Sequence, residues 1–132
     1  MSQDPPKNMA VLRHWFDTIN KNDVAKMVKE WREIATEDYL LHDPATPDLK
    51  PGLADYLKLF EQQMAAVADR KVTIEDMFAV GDKVVLRGVY QFLDLATQEQ
   101  IKMAAIGISR FEGGKIKEEW QILAPFAVPS NK

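Results

Sequence analysis

Apolar residues recur at helical spacing through the first third of the chain. Leu12, Trp15, Phe16 and Ile19 fall at i, i+3, i+4 and i+7, one stripe of a helix. Asp4 followed by Pro5 and Pro6 marks its start, because proline is tolerated in a first turn. Asn20-Lys21-Asn22-Asp23 interrupts the pattern, and Asn22 or Asp23 caps a second helix in which Val24, Met27, Val28 and Trp31 repeat the spacing. The two stripes predict an αα-hairpin. A short extended run, Tyr39–His42, stops at Asp43-Pro44, since proline biases the preceding residue away from helix. Pro44, Pro47 and Pro51 punctuate the loop Asp43–Lys50, long enough to suggest a functional segment. A third helix from Leu53 to Asp69 aligns Leu53, Tyr56, Leu57, Phe60, Met64 and Val67 on one face.

From Lys71 the period becomes two. Val72–Val80 and Lys83–Leu93 read as strands joined by Gly81-Asp82, and Asp94–Gln100 as a polar connection. Ala104–Phe111 and Lys115–Leu123 then flank Glu112-Gly113-Gly114-Lys115, a strong hairpin signal because a two-residue turn of the favoured hand needs positive φ. A regular ladder pairs Phe111 with Ile116, Ser109 with Glu118, Gly107 with Trp120 and Ala105 with Ile122, all on one face. Trp120 then lies across from a glycine with room for its indole, and Glu118 lies among apolar neighbours opposite a hydroxyl. A slip of one residue turns Glu119 to that face instead and leaves Glu118 a surface charge. Ile106 and Ile108 occupy the opposite, outer face. The order α-α-β-α-β-β-β-β gives an α+β class, with helices covering one face of an antiparallel sheet that Gly88 and Gly107 allow to bend.

Composition narrows the chemistry. At 132 residues the chain reads as one domain, 1–132, with 1–5 and 126–132 loose. Without cysteine there is no disulfide, thiolate nucleophile or thiolate metal ligand. A net charge of −3 without a basic cluster argues against nucleic acid as a partner. No run approaches a membrane span, and the first residues lack the pattern of a signal peptide, so the expected location is cytoplasmic. His14 and His42 show no ligand spacing, and no metal is expected.

Leu41-His42-Asp43-Pro44, the run Val80-Gly81-Asp82-Lys83-Val84-Val85-Leu86-Arg87 and above all Arg110-Phe111-Glu112-Gly113-Gly114-Lys115-Ile116-Lys117-Glu118-Glu119-Trp120 resemble the SnoaL-like (polyketide cyclase-like) branch of the NTF2-like superfamily. The resemblance spans nearly the whole chain. It implies an NTF2-like cone: a curved antiparallel sheet with three helices from the N-terminal half packed on its concave face. It also implies an interior pocket for a small apolar molecule, dimerisation through the sheet, and no cofactor. Its enzymes include polyketide cyclases, ketosteroid isomerase and limonene epoxide hydrolase, which move protons with side-chain acids and bases. Where members carry a catalytic aspartate, just after the tryptophan or a few residues beyond it, this chain has Gln121 and Ala124.

Two functions therefore stand. One is a cofactor-free isomerase, cyclase or lyase (dehydratase) acting by general acid/base chemistry. His42, titrating near neutrality, is its proton carrier and Glu118 its second acid/base. Trp120, Tyr90, Trp15, Phe60 and Trp31 would form the substrate wall, although aromatics at helical spacing also fill cores. The other is a noncatalytic ligand-binding or dimerisation domain with the same pocket. In either case a homodimer through Ile106 and Ile108 is expected. Asp43 reads as a turn cap before Pro44, and His14 as a surface residue.

Overall fold

Asp4 opens the first helix as predicted. Its carboxylate accepts from the Lys7 backbone N–H at 3.2 Å, and Pro5 and Pro6 fill first-turn positions whose N–H groups would lack a helical partner. This helix, α1, runs Pro5–Asn20. Asn22 follows it in a left-handed conformation, φ 59°, which asparagine tolerates. Asp23 caps α2 (Val24–Ile34) through the Lys26 N–H at 3.2 Å. The other elements are β1 (Ala35–His42), α3 (Leu53–Ala65), β2 (Val67–Val80), β3 (Lys83–Asp94), β4 (Glu99–Glu112) and β5 (Lys115–Pro125). The computed structural model describes residues 4–126. Within the ends expected to be loose, Asp4 and Pro5 belong to the start of α1, and the Phe126 N–H bonds the Lys102 carbonyl at 3.0 Å. Residues 1–3 and 127–132 lie outside the described residues.

The five strands form one curved, open sheet in the order β1-β5-β4-β3-β2. β2 through β5 pair antiparallel, and β1 joins β5 as a parallel edge strand, an arrangement open to it because no hairpin links the two. The helices cover one face, the inner one. Leu12, Trp15, Met27, Trp31, Leu57 and Phe60 meet Tyr39, Leu41, Val84, Phe111 and Ile116 in the core. Phe111 and Ile116 are fully buried, and each such side chain stabilises the fold by about 1.5–3 kcal/mol. This α+β architecture is the expected one. Among the described residues no helix is long and apolar enough to cross a membrane.

Several boundaries differ from the sequence reading: β1 begins at Ala35 rather than Tyr39, and β4 at Glu99 rather than Ala104. α3 ends at Ala65 rather than Asp69, and β2 begins at Val67 rather than Val72. A register shift between Ala68 and Lys71, with Asp69 at φ 52°, turns Arg70 inward, where only 5% of it is exposed. Its guanidinium donates to the carbonyls of Met64 and Val67 and to the Asn22 side chain, which satisfies the helix end that apolar periodicity alone would have prolonged.

A difference in register decides the site. Gly113 and Gly114, at φ 61° and 80°, make the expected turn, and Phe111 pairs with Ile116. The register then shifts: Arg110 pairs with Glu118, Ser109 with Glu119, Ile108 with Trp120 and Gly107 with Gln121. Lys117 is the extra residue of a β-bulge, tied outward to Asp38 at 2.6 Å. From there on, every β5 side chain faces opposite to the regular ladder. Glu119, Gln121 and Leu123 turn in, while Glu118, Trp120 and Ile122 turn out.

Candidate functional site

The inner cavity, about 200 Å³, lies between the helices and the sheet. The stripes of α1 and α3 supply Trp15, Phe16, Ile19, Tyr56, Phe60 and Met64, and α2 supplies Trp31. Leu86, Gly88 and Tyr90 of β3 and Ala105 and Gly107 of β4 form the opposite wall. Trp15 packs on Trp31 with ring centroids 4.7 Å apart and on Phe60 at 5.9 Å, so the aromatic wall is continuous. Trp15, Trp31, Phe60 and Tyr90, all expected in a pocket, line this one. Trp120 does not.

β5 brings polar chemistry to the cavity. Glu119 accepts from the Tyr39 hydroxyl at 2.6 Å on one oxygen and from the Ser109 hydroxyl on the other. It lies deep in the fold, and the surface it keeps is cavity wall. Burial pushes its carboxyl up from the usual range, and the hydroxyls of Ser109 and Tyr39 counter this only in part. Tyr56 packs against Tyr39 with ring centroids 4.7 Å apart. Burial first, and then the Glu119 charge, pushes the phenols of Tyr39 and Tyr56 up, so both stay protonated donors. Burial also raises the Tyr90 phenol, against the opposing charge of Arg70. Two residues along β5, Gln121 donates through Nε2 to Asp43 Oδ2 at 2.8 Å. Asp43 Oδ1 accepts from the Ala45 N–H at 2.8 Å, the turn cap expected from Asp43-Pro44.

The expected catalytic pair stands elsewhere. His42 and Glu118 do meet, Nε2 to Oε2 at 2.6 Å, but on the outer face of the sheet. His42 stacks on Trp120 there, with centroids 5.2 Å apart and planes at 11°. Arg110 holds the second Glu118 oxygen at 3.1 Å, while Arg87 pairs with Glu75 and Asp76. The bond from His42 chiefly, opposed by burial and helped by the bond from Arg110, holds the Glu118 carboxyl below its usual range. The bulge at Lys117 explains the displacement of Glu118 and Trp120. His42 follows from β1 alternation: Tyr39, Leu41 and Asp43 turn in, so Leu40 and His42 turn out. His42 and Trp120 line a second cavity of about 1070 Å³, between the loop after β1 and the outer residues Ile106, Ile108 and Ile122.

The residues that sequence reasoning left aside are thus Glu119, Gln121, Tyr39 and Asp43. Glu119 was legible only as the slipped alternative. Gln121 carries no signal by itself, and Tyr39 is one aromatic in a short strand. His14 is on the surface, bonding Glu30 at 3.0 Å as part of the contact between α1 and α2. Among the described residues no three His, Cys, Asp or Glu side chains gather into a metal-binding group.

The sequence profile of a family described as the SnoaL-like domain matches residues 12–119. No curated protein matches the chain in sequence. Solved structures share the fold. TsrD from Streptomyces laurentii superposes with TM-score 0.74 at 18% identity, covering 91% of this chain and 90% of its own. A candidate polyketide cyclase from Acidithiobacillus ferrooxidans gives 0.74 at 24% identity, covering 89% and 87%. A candidate ketosteroid isomerase from Kribbella flavida gives 0.70 at 19% identity, covering 100% and 88%. At these identities the likeness is one of fold.

Proposed function

The chain belongs to the SnoaL-like domain family, and from that premise we propose that it binds a small, apolar, enolisable molecule in the inner cavity and moves a proton on it with Glu119. The observation that carries this reading is a carboxyl set deep in an aromatic-walled cavity, with its affinity for a proton raised by burial. A carboxylate partly stripped of water is a stronger base than a solvated one, and its proton is held closer to neutral pH, where exchange with a carbon acid is most effective. The Tyr39 and Ser109 hydroxyls fix its rotamer and donate to it, so the ionised form keeps both bonds while a third position faces the cavity. The chemistry balances within the protein. Glu119 takes the proton α to a carbonyl, the electron pair becomes the enolate, and the proton returns to another carbon or oxygen of the same molecule. A cyclase, isomerase or dehydratase each begins this way.

The test is hydrogen exchange in D₂O, followed by proton NMR at the α-carbon of simple cyclic ketones. Wild type should accelerate exchange, and Glu119→Gln, which keeps the shape while one acceptor oxygen becomes a donor NH₂, should lose about 10²–10⁴-fold of that acceleration. Exchange at the wild-type rate in Glu119→Gln refutes the assignment. A second reading, a noncatalytic binding domain, is favoured by Gln121 and Ala124 standing where family members carry an aspartate. Ketone binding without any exchange would select it. In either case the outer face, with Ile106 and Ile108, is proposed as the surface through which two copies associate.

A further inference from the structure

We propose that the inner cavity selects a single-ring molecule with an oxygen at each end, one held by Glu119 and the other by Gln121. This rests on the reading of the inner cavity as the ligand site, and it names the ligand class.

Three observations carry it. The first is size. The cavity holds about 200 Å³. A buried apolar cavity of about 150 Å³ accommodates benzene, whereas sites for drug-sized ligands run to about 300–1,000 Å³. One ring matches that volume, and a fused polycycle exceeds it. The second is spacing. Glu119 and Gln121 are alternate residues of one strand facing the same cavity. Their Cα atoms are therefore about 7 Å apart, a span that one six-membered ring with a hydrogen-bonding atom at either end can bridge.

The third is orientation. An ionised carboxylate only accepts hydrogen bonds, so the Gln121 atom facing Asp43 is the amide nitrogen. One amide N–H is committed there, and the carbonyl oxygen and second N–H are left for a ligand. Asp43 is itself fixed by the Ala45 N–H and cannot follow the amide into the cavity. Gln121 thus enters the site with its direction already set, and Asp43 is its positioning residue. Preorganisation of this kind removes the entropy a free glutamine would lose on binding. A hydroxyl at the distal end of the ring can donate to the Gln121 carbonyl, and a carbonyl there can accept from the free N–H. At the proximal end the protonated Glu119 carboxyl can donate to the carbonyl, and the ionised carboxylate can accept from the enol hydroxyl. A hydroxyketone of one ring, such as 4-hydroxycyclohexanone, satisfies both ends.

Calorimetric titration of the full chain with cyclohexanone, 4-hydroxycyclohexanone, 1-decalone and androstenedione tests this. The hydroxyketone should bind about tenfold more tightly than cyclohexanone, the worth of one added buried hydrogen bond. Gln121→Leu should erase that advantage, bringing the ratio of the two affinities to about one. Asp43→Ala should erase most of it, and Asp43→Asn, which keeps an acceptor oxygen, should restore it. A merely structural role for Asp43 would weaken both ketones alike, so the ratio of the two affinities is the readout. Equal binding of the two ketones to wild type overturns two-point recognition. Tighter binding of decalone or androstenedione overturns the one-ring class. The hydroxyketone advantage without any proton exchange would uphold the selection and refute the acid/base function. Exchange that ignores ring size and Gln121 would do the reverse.

Discussion

Glu118 and Glu119 are neighbours in sequence with opposite electrostatic fates. Burial raises the Glu119 carboxyl above its ordinary value of 4.5, so the folded state holds that proton at a pH where the unfolded chain has released it. Its contribution to stability is fully present below the unfolded value and is lost as pH rises through the raised folded one. Glu118 is held below 4.5, chiefly by His42, and its contribution is present above the unfolded value and lost as pH falls through the folded one. Denaturant titrations of Glu119→Gln and Glu118→Gln against wild type should therefore diverge. The stability of wild type relative to Glu119→Gln should fall as pH rises from about 4.5 toward neutrality, whereas relative to Glu118→Gln it should rise as pH climbs to about 4.5 from below. Parallel pH curves for the two variants would refute the inward and outward assignments together.

At the scale of elements, the strand pair β2–β3 and the bulge in β5 set where side chains can point. Gly88 faces the cavity, but its absent Cβ serves the backbone. A carbon there would lie 2.6 Å from the Thr73 carbonyl oxygen on β2. Gly88→Ala must push the two strands apart, at a cost of about 1–3 kcal/mol. Thermal unfolding should show a midpoint lower by several degrees, and an unchanged midpoint would mean the pair is looser than its geometry implies. The sequence was informative wherever periodicity, caps and turn residues agree. Asp4, Asp23, Gly113-Gly114 and the stripes of the first two helices fall where they were expected. It was silent at Lys117. Alternation outward from Ile116 cannot register one extra residue, and Glu118-Glu119 is a charged pair either half of which can turn in. Hydrophobic pattern therefore cannot break the tie, and the candidate site shifted by one residue with it. The early end of α3 has a similar cause, because a buried arginine bonded to carbonyls leaves no mark in apolar spacing.

For the whole molecule, the outer sheet face carries a further apolar surface among the described residues. Phe78, Val80, Ile106 and Ile122 each expose between 54% and 69% of their area. The ladders set them in rows: Phe78, Val85, Ile108 and Trp120 across four strands, and Asp76, Arg87, Ile106 and Ile122 beside them. Contiguous apolar patches of this kind on a sheet mark an interface, and the Arg87 pairs with Glu75 and Asp76 offer a polar rim. In an isologous dimer the patch meets itself, so one substitution per chain places two charges in the interface. Wild type should be a dimer by light scattering at micromolar concentration, and Ile106→Asp with Ile122→Asp a monomer. Both side chains are more than half exposed in the single chain, so the variant should keep its fold. A variant that stays dimeric would move the interface off this face, and a wild type that is monomeric would remove it. The inner cavity opens on the other side of the sheet, so hydroxyketone binding to the monomeric variant should persist. Loss of that binding with the dimer would mean that association through one face holds the cavity on the other in shape.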